Sequence, residues 1–281
     1  MTVLSIDHIE CILNSLIDYG EKGIMKVLIL AGGFGTRLSE ETESRPKPMV
    51  LIDDKPILWH LMKIFDLQGF SDFILALGYK GEYIKRWVLD LYELSGDFEI
   101  DSRKQILERL KPSTPNKWKV SAIDTGLQTQ TGGRIKQCME KFPNQRLIVT
   151  YGDGLANIKI DKLIDFHLNH GKLATVTSVR PPARFGQITS ENGLVLSFNE
   201  KNQADAGWIN GGFFILEPDV AKFISSNEEA FETGALVRLV KEKQLMTYQH
   251  NGFWQPMDTL RDKIELTKLA SLQNPPWLEN I

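Results

Sequence analysis

The chain has 281 residues, 42% of them hydrophobic and 25% charged, and a formal net charge of −3. That length buries one sizeable core, or one core with an appended lobe, and the near-balanced charge offers none of the basic surface that a nucleic-acid or polyanion binder carries. Two widely separated cysteines, Cys11 and Cys138, exclude a disulfide framework and a cysteine metal site, and no apolar run reaches the ~18 residues of a membrane span.

At the start, Ile6, Ile9, Leu13, Leu16 and Ile17 recur at helical spacing, and Tyr19-Gly20 closes the pattern. This predicts an amphipathic N-terminal extension over residues 1–24, ahead of a main domain over residues 25–281. The extension lacks the basic start and unbroken apolar stretch of a signal peptide. Met25 as an alternative start, or a helix capping a groove or a subunit contact, would each fit it.

Residues 26–56 organise the rest of the chain. Val27, Leu28, Ile29 and Leu30 form a short branched apolar run, which predicts a buried parallel strand. It breaks at Ala31-Gly32-Gly33-Phe34-Gly35-Thr36-Arg37, where three glycines allow a sharp turn and bring backbone N–H groups close to a ligand. The loop lacks the Walker lysine and hydroxyl, and Leu38 stands where a dinucleotide fingerprint needs its third glycine. Further on, Pro46 and Pro48 hold Lys47 on stiff, extended backbone. The glycines alone fit an ordinary turn equally well; together with Arg37 and Lys47 they suggest a polyphosphate cradle.

The later chain alternates strand and helix. A helix is predicted from residue 57 to Gln68-Gly69, a strand over 72–77, a helix over 81–92, a strand over 118–123, a helix opening at Thr131-Gly132-Gly133-Arg134 with Thr131 as N-cap, and a strand over 146–151. Residues 95–115 show no period and read as a long loop. A helix over 161–170 and a strand over 173–179 come next, then a hairpin turning at residues 190–193. Residues 208–216 read as a strand that the glycines of Asn210-Gly211-Gly212 open to close approach. A helical stretch over 221–243, a strand over 245–250 and a terminal helix over 259–272 complete the chain. The alternation predicts an α/β fold with a mostly parallel, mixed central sheet flanked by helices and carrying a β-hairpin insertion. Asp153, in the turn after the 146–151 strand, is where open α/β sheets bind ligands and is the first metal-ligand candidate; a turn aspartate bonded to its own loop is the alternative. Asp258, just before the last helix, is the second. His167 and His170 share a helix face without a third ligand and read as surface or packing residues.

Residues 30–38, Thr42, residues 46–49 and residues 55–57 resemble the opening pattern of the sugar-1-phosphate nucleotidyltransferases, a family with a Rossmann-like (GT-A-like) fold. Further matches are Asp124-Thr125-Gly126, Thr131 to Arg134, Tyr151 to Gly154, Arg184-Phe185-Gly186 and residues 252–263, GFWQPMDTLRDK. They are similar to the branch that joins CTP and glucose 1-phosphate with Mg²⁺ to give CDP-glucose and pyrophosphate. By resemblance, Leu30, Ala31, Gly32, Gly33, Gly35 and Thr36 cradle the triphosphate, Arg37 neutralises the leaving pyrophosphate, and Lys47 steadies the α-phosphate. Thr131, Gly132, Gly133 and Arg134 would receive the nucleoside. Gly186, Glu200, Asn210 and Gly211 would line the hexose, Lys201 would hold its phosphate, and Asp153 and Asp258 would bind the metal. Asn202 and Gly234-Ala235 depart from the family pattern, which has proline in the first place and Glu-Pro in the second. The resemblance further implies a cytoplasmic homo-oligomer that supplies deoxysugar synthesis for surface polysaccharide.

Overall fold

The apolar run at residues 27–30 becomes β1 (Lys26–Leu30), buried along its whole length in the computed structural model, which describes residues 25–112, 117–181, 187–191, 194–199 and 207–281. The predicted extension over 1–24 and the expected sugar-end residues Gly186, Glu200 and Lys201 lie outside the described residues, as does Asn202. Val27 and Ile29 enter one apolar cluster while Leu28 and Leu30 enter another. A strand between two parallel neighbours has both faces covered, so its sequence is apolar without alternation.

From β1 the chain passes the glycine loop and one helical turn, α1 (Ser39–Thr42), to a short antiparallel pair, β2 (Leu51–Ile52) and β3 (Lys55–Pro56). It continues through α2 (Ile57–Leu67), β4 (Asp72–Leu77), α3 (Gly81–Glu93), β5 (Gly96–Asp101), β6 (Ile106–Pro112), β7 (Lys119–Asp124), α4 (Thr131–Lys141), β8 (Leu147–Tyr151), β9 (Gly154–Ala156) and α5 (Ile160–His170). After these come β10 (Ala174–Val179), β11 (Gln187–Glu191), β12 (Leu194–Asn199), β13 (Ile209–Leu216), α6 (Ala235–Lys241), β14 (Leu245–His250), β15 (Trp254–Pro256) and α7 (Leu260–Ala270).

Seven strands form one sheet in the order β14-β10-β13-β8-β1-β4-β7. All neighbours are parallel except β13, which runs antiparallel to both β10 and β8. The predicted mostly parallel, mixed sheet is therefore present, with β11 and β12 as the separate antiparallel hairpin. One apolar layer takes Ile57, Leu61 and Phe65 from α2, Leu163 from α5 and Leu266 from α7. The opposite layer takes Ile135 and Cys138 from α4 and Leu239 from α6. Because β13 is reversed, its first residues emerge at the same sheet edge as the carboxyl ends of β1 and β8.

Three expectations are corrected. The stretch expected as a long loop over 95–115 is, as far as it is described, a hairpin of β5 and β6; Phe98 and Ile100 alternate with Asp97, Glu99 and Asp101 along β5, a period-2 signal that the loop reading passes over. The stretch 221–243 is helical only at its ends, as a 3₁₀ segment Pro218–Phe223 and α6. Thr131 is the first residue of α4 and not its N-cap, which is Gln130. His167, expected as a surface or packing residue, is 1% exposed and bonds Thr175 Oγ1 at 2.8 Å and Glu217 Oε1 at 3.1 Å.

Candidate active site

The glycine loop turns its backbone donors outward because its carbonyls are held from inside. Gly32 O accepts from Tyr79 N at 3.0 Å and from Arg134 Nη2 at 2.9 Å, and Gly35 O accepts from Leu38 N at 3.0 Å and Thr42 Oγ1 at 3.2 Å. In a trans peptide the N–H points away from the carbonyl, so the amides of Gly33 and Thr36 face the other way, toward the cleft. Two glycines are obligatory here. A Cβ on Gly32 would sit 2.4 Å from the Arg134 guanidinium and 2.8 Å from Gly78 N, while Gly35 has φ +67° and Lys47 Cβ 3.0 Å from where its own Cβ would be. Gly33 has open space around it.

The expected extended backbone at Lys47 is corrected: it ends at Pro46, with ψ 150°, and Lys47–Met49 close a 3₁₀ turn in which Val50 N donates to Lys47 O. Pro46, Lys47 and Pro48 are all buried, and Pro48 packs where a Cβ on Gly152 would lie, 3.1 Å away, which sets Lys47 beside the loop carrying Asp153. Its Nζ reaches Asp153 Oδ2 at 2.6 Å and Asp258 Oδ1 at 2.8 Å. Burial alone would push the Lys47 ammonium down, but the Asp153 and Asp258 carboxylates outweigh it and hold its pKa above the ordinary value. Arg37 stands outside this pair, 3.5 Å from Asp258 Oδ2 and largely exposed.

The two aspartates meet through backbone pairing. β9 and β15 align Gly154 with Pro256, and Met257 N donates to Asp153 O at 2.8 Å. Asp258 is fixed again by the start of α7, where Asp262 Oδ2 accepts from Asp258 N at 3.1 Å and from Thr259 N at 2.8 Å, and Thr259 Oγ1 accepts from Asp262 N at 3.2 Å. This is a capping box, with the Asp at its third position also holding the carboxylate's own backbone. Two carboxylate oxygens from separate elements thus converge on one positive atom. Among the described residues no group of three or more His, Cys, Asp or Glu could hold a metal. A divalent ion here would take two protein carboxylates and complete its shell from phosphate and water, which suits hard Mg²⁺.

These elements enclose a cleft of about 630 Å³ at the sheet edge. It is lined by the predicted Leu30, Ala31, Gly32, Gly33, Gly35, Thr36, Arg37, Lys47, Asp153 and Asp258, and further along by Thr131, Arg134, Asn210 and Gly211. Gly132 and Gly133 do not line it. A Cβ on Gly132 would meet Glu229 O at 2.7 Å, and one on Gly133 would meet Asn227 O at 2.5 Å, so these glycines admit a neighbouring backbone in place of the expected nucleoside. Arg134 is 4% exposed, and its guanidinium donates to Leu77 O, Thr125 Oγ1, Gly126 O and Gly32 O at 2.5–3.0 Å. It ties the ends of β4 and β7 to the glycine loop from behind.

Sequence reasoning passes over Tyr151 and Trp254, which also line the cleft. Trp254 Nε1 donates to Gly211 O at 2.8 Å, and Tyr151 Oη receives Asn210 Nδ2 at 3.1 Å. Both lie inside matched motifs, so a signal is present, though not one that separates them from core aromatics. A larger groove of about 1030 Å³ runs between β2, α2 and α3, lined by Leu51, Trp59, Tyr83 and Trp87 among others. It contains none of the cradle, Lys47 or the two aspartates, so the chemistry belongs to the smaller cleft.

The family model described as nucleotidyl transferase matches residues 26–269. The chain is 45% identical over 258 residues to glucose-1-phosphate cytidylyltransferase of Salmonella typhi, covering 90% of this chain and 98% of that one. It is 41% identical over 254 residues to the probable glucose-1-phosphate cytidylyltransferase of Bacillus subtilis, covering 90% and 99%. Among solved structures, HddC from Yersinia pseudotuberculosis superposes with a TM-score of 0.64 at 26% identity, covering 87% of this chain and 99% of that one. A UDP-glucose pyrophosphorylase complexed with UDP-glucose shares the fold, with a TM-score of 0.63 at 20% identity over 88% and 98%. With its cradle, its proline-pinned lysine and its converging aspartates inside the matched span, the chain belongs to the nucleotidyl transferase family.

Proposed function

We propose that this chain transfers the cytidylyl group of CTP to glucose 1-phosphate, giving CDP-glucose and pyrophosphate. The observation that carries the reading is Lys47, held within 2.8 Å of both Asp153 and Asp258 at the floor of a cleft whose rim is the glycine loop. An ionised oxygen of the sugar phosphate attacks the α-phosphorus; the bond from that phosphorus to the bridging oxygen breaks, and pyrophosphate leaves with the electron pair. The attacking oxygen is already charged, so no general base is needed. The chain's task is to bring two anions together and shield their repulsion.

The outward amides of Gly33 and Thr36 receive phosphate oxygens, Arg37 offsets charge on the leaving pyrophosphate, and Lys47 offers its protons to the α-phosphate. Asn210 and Gly211 form the sugar end, with Gly186, Glu200 and Lys201 assigned there by resemblance. Nucleotidyltransferases generally use a divalent metal, and Mg²⁺ is the proposed ion, held by Asp153 and Asp258. When bound it would screen the phosphates and the charge that develops between them. A cytoplasmic homo-oligomer supplying deoxysugar synthesis completes the proposal; the exposed Phe98 and Ile100 of β5 support self-association. Among the described residues no helix is long and apolar enough to cross a membrane.

The test is pyrophosphate release from purified protein given glucose 1-phosphate, Mg²⁺ and CTP, UTP, dTTP, ATP or GTP in separate reactions. Release fastest with CTP is expected. Release fastest with another nucleotide would overturn the base assignment, and none with any from folded protein would overturn the reaction.

A further inference from the structure

Behind the sugar end of the cleft lies a side chain that the proposed reaction does not use. Glu232 stands in the segment before α6 and is not part of the cleft wall. Its Oε1 receives the Tyr151 hydroxyl at 2.5 Å and its Oε2 receives the Thr131 hydroxyl at 2.7 Å. Tyr151 and Thr131 lie on different elements, the end of β8 and the start of α4, and both line the cleft.

The direction of every proton in this chain of bonds is determined. Thr131 Oγ1 already accepts from Phe231 N at 2.8 Å, so its own proton goes to Glu232. A carboxylate only accepts, so the Tyr151 proton also goes to Glu232. The Tyr151 oxygen is left to accept, and it takes Asn210 Nδ2 at 3.1 Å. Asn210 Oδ1 accepts in turn from Gly212 N at 2.8 Å, so the amide is fixed at both ends and cannot reverse. One Nδ2 proton remains, at the exposed tip of a side chain lining the cleft.

We propose that Glu232 is a positioning residue that, through Tyr151 and together with Gly212 N, holds the hydrogen-bonding sense of Asn210, so that the sugar end presents a donor to a hydroxyl of the sugar phosphate. This rests on the reading of Asn210 as a sugar-end residue. Glutamine at 232 has the same shape but only one acceptor oxygen, and it cannot receive both hydroxyls. Either Tyr151 or Thr131 then faces an N–H₂ group, and the order of donors toward Asn210 is lost.

The experiment compares Glu232→Gln, Tyr151→Phe, their double variant and Asn210→Ala by steady-state kinetics at saturating CTP and Mg²⁺. Glu232→Gln is expected to raise KM for glucose 1-phosphate about tenfold, with kcat and KM for CTP within about threefold, since an interaction lost equally from ground and transition states leaves kcat alone. Tyr151→Phe, which removes a single oxygen, gives the same pattern and serves on its own if Glu232→Gln does not fold. In the double variant, Glu232→Gln adds less than about twofold, because its route through Tyr151 is already cut. Multiplying effects would overturn the proposal, as would a rise in KM for CTP equal to that for the sugar phosphate. A raised KM for glucose 1-phosphate in Asn210→Ala, with none in Glu232→Gln, would refute the role of Glu232 and keep the sugar end. No change in Asn210→Ala would remove the sugar-end reading itself, and the proposal with it.

Discussion

Replacing Lys47 with methionine tests the metal seat separately from the chemistry. Methionine keeps an unbranched stem against Pro46 and Pro48 and removes the charge. Each carboxylate oxygen lies within 2.8 Å of Lys47 Nζ, so the two are at most twice that distance apart and would face each other across the lost ammonium, with the exposed Arg37 still 3.5 Å from Asp258. Breaking a fully buried ion pair costs about 3–5 kcal/mol. The Asp153 and Asp258 side chains here keep 30% and 25% of their exposure, and water lowers the figure to about 2 kcal/mol. For a chain of this size that is about 4–6 °C in Tm. Differential scanning fluorimetry in EDTA is the assay, followed by Mg²⁺ titration without nucleotide. Lys47→Met should melt lower in EDTA and gain more from Mg²⁺ than the wild type, because the ion replaces the missing cation without displacing an ammonium. Turnover should fall by about 10²–10³, the usual loss when one donor aimed at developing charge is removed. The sign with pH is also set. The Lys47 pKa is raised above the ordinary 10.5, so its stabilisation is complete below that value and is lost only as pH climbs through the higher folded one. The gap between the two proteins should therefore hold from neutrality to about pH 10. Equal melting in EDTA together with an equal Mg²⁺ shift would refute the reasoning.

Asp262→Asn turns an amide toward the N–H groups of Asp258 and Thr259; we expect about 1–2 kcal/mol of destabilisation by chemical denaturation and a higher Mg²⁺ requirement in pyrophosphate release. Gly133→Ala forces a Cβ to 2.5 Å from the Asn227 backbone and should lower Tm by several degrees, as overpacking costs about 1–3 kcal/mol. Gly33→Ala meets nothing within 4 Å, so it should melt like wild type while raising KM for CTP. Glu217 accepts from Arg146 Nε at 2.6 Å; burial works against its charge, but His167 and Arg146 prevail and hold its pKa below the ordinary 4.5. That stabilisation is present above 4.5 and fades as pH falls through the folded value, so the stability gap between wild type and Glu217→Gln should narrow only below pH 4.5, as followed by urea unfolding at stepped pH.

Features governed by a few consecutive residues are legible in the sequence. β1 is an unbroken branched run because both its faces are covered, and Lys47 is stiff because of its own two prolines. Asp153 stands out because it comes directly after a strand that is itself easy to read. The meeting of Asp153 with Asp258 is not derivable, since it depends on pairing between β9 and β15, two three-residue strands too short to show any period. Asp258 enters the metal site by resemblance, and the backbone supplies the reason. Asp262 is open to a local reading, as Thr259 and Asp262 stand at capping-box spacing just before an apolar helix. Glu232 carries no local mark, because its partners Tyr151 and Thr131 are 81 and 101 residues away in the chain.

The glycines show where sequence reading stops. Each allows something to approach the backbone, and at Gly32, Gly33 and Gly133 that allowance has three different outcomes. The Arg134 guanidinium lies against Gly32, open cleft lies over Gly33, and the Asn227 backbone lies against Gly133. Arg134 misleads for the same reason. An arginine in the first turn of a helix beside a phosphate cradle has a good local argument for binding phosphate. Its carbonyl acceptors come from the glycine loop at residue 32, the end of β4 at residue 77 and the turn at residue 126, which only the sheet order brings together. A glycine or an arginine in this chain therefore reports close approach or strong donation, and the long-range topology decides whether a ligand or the protein itself receives it.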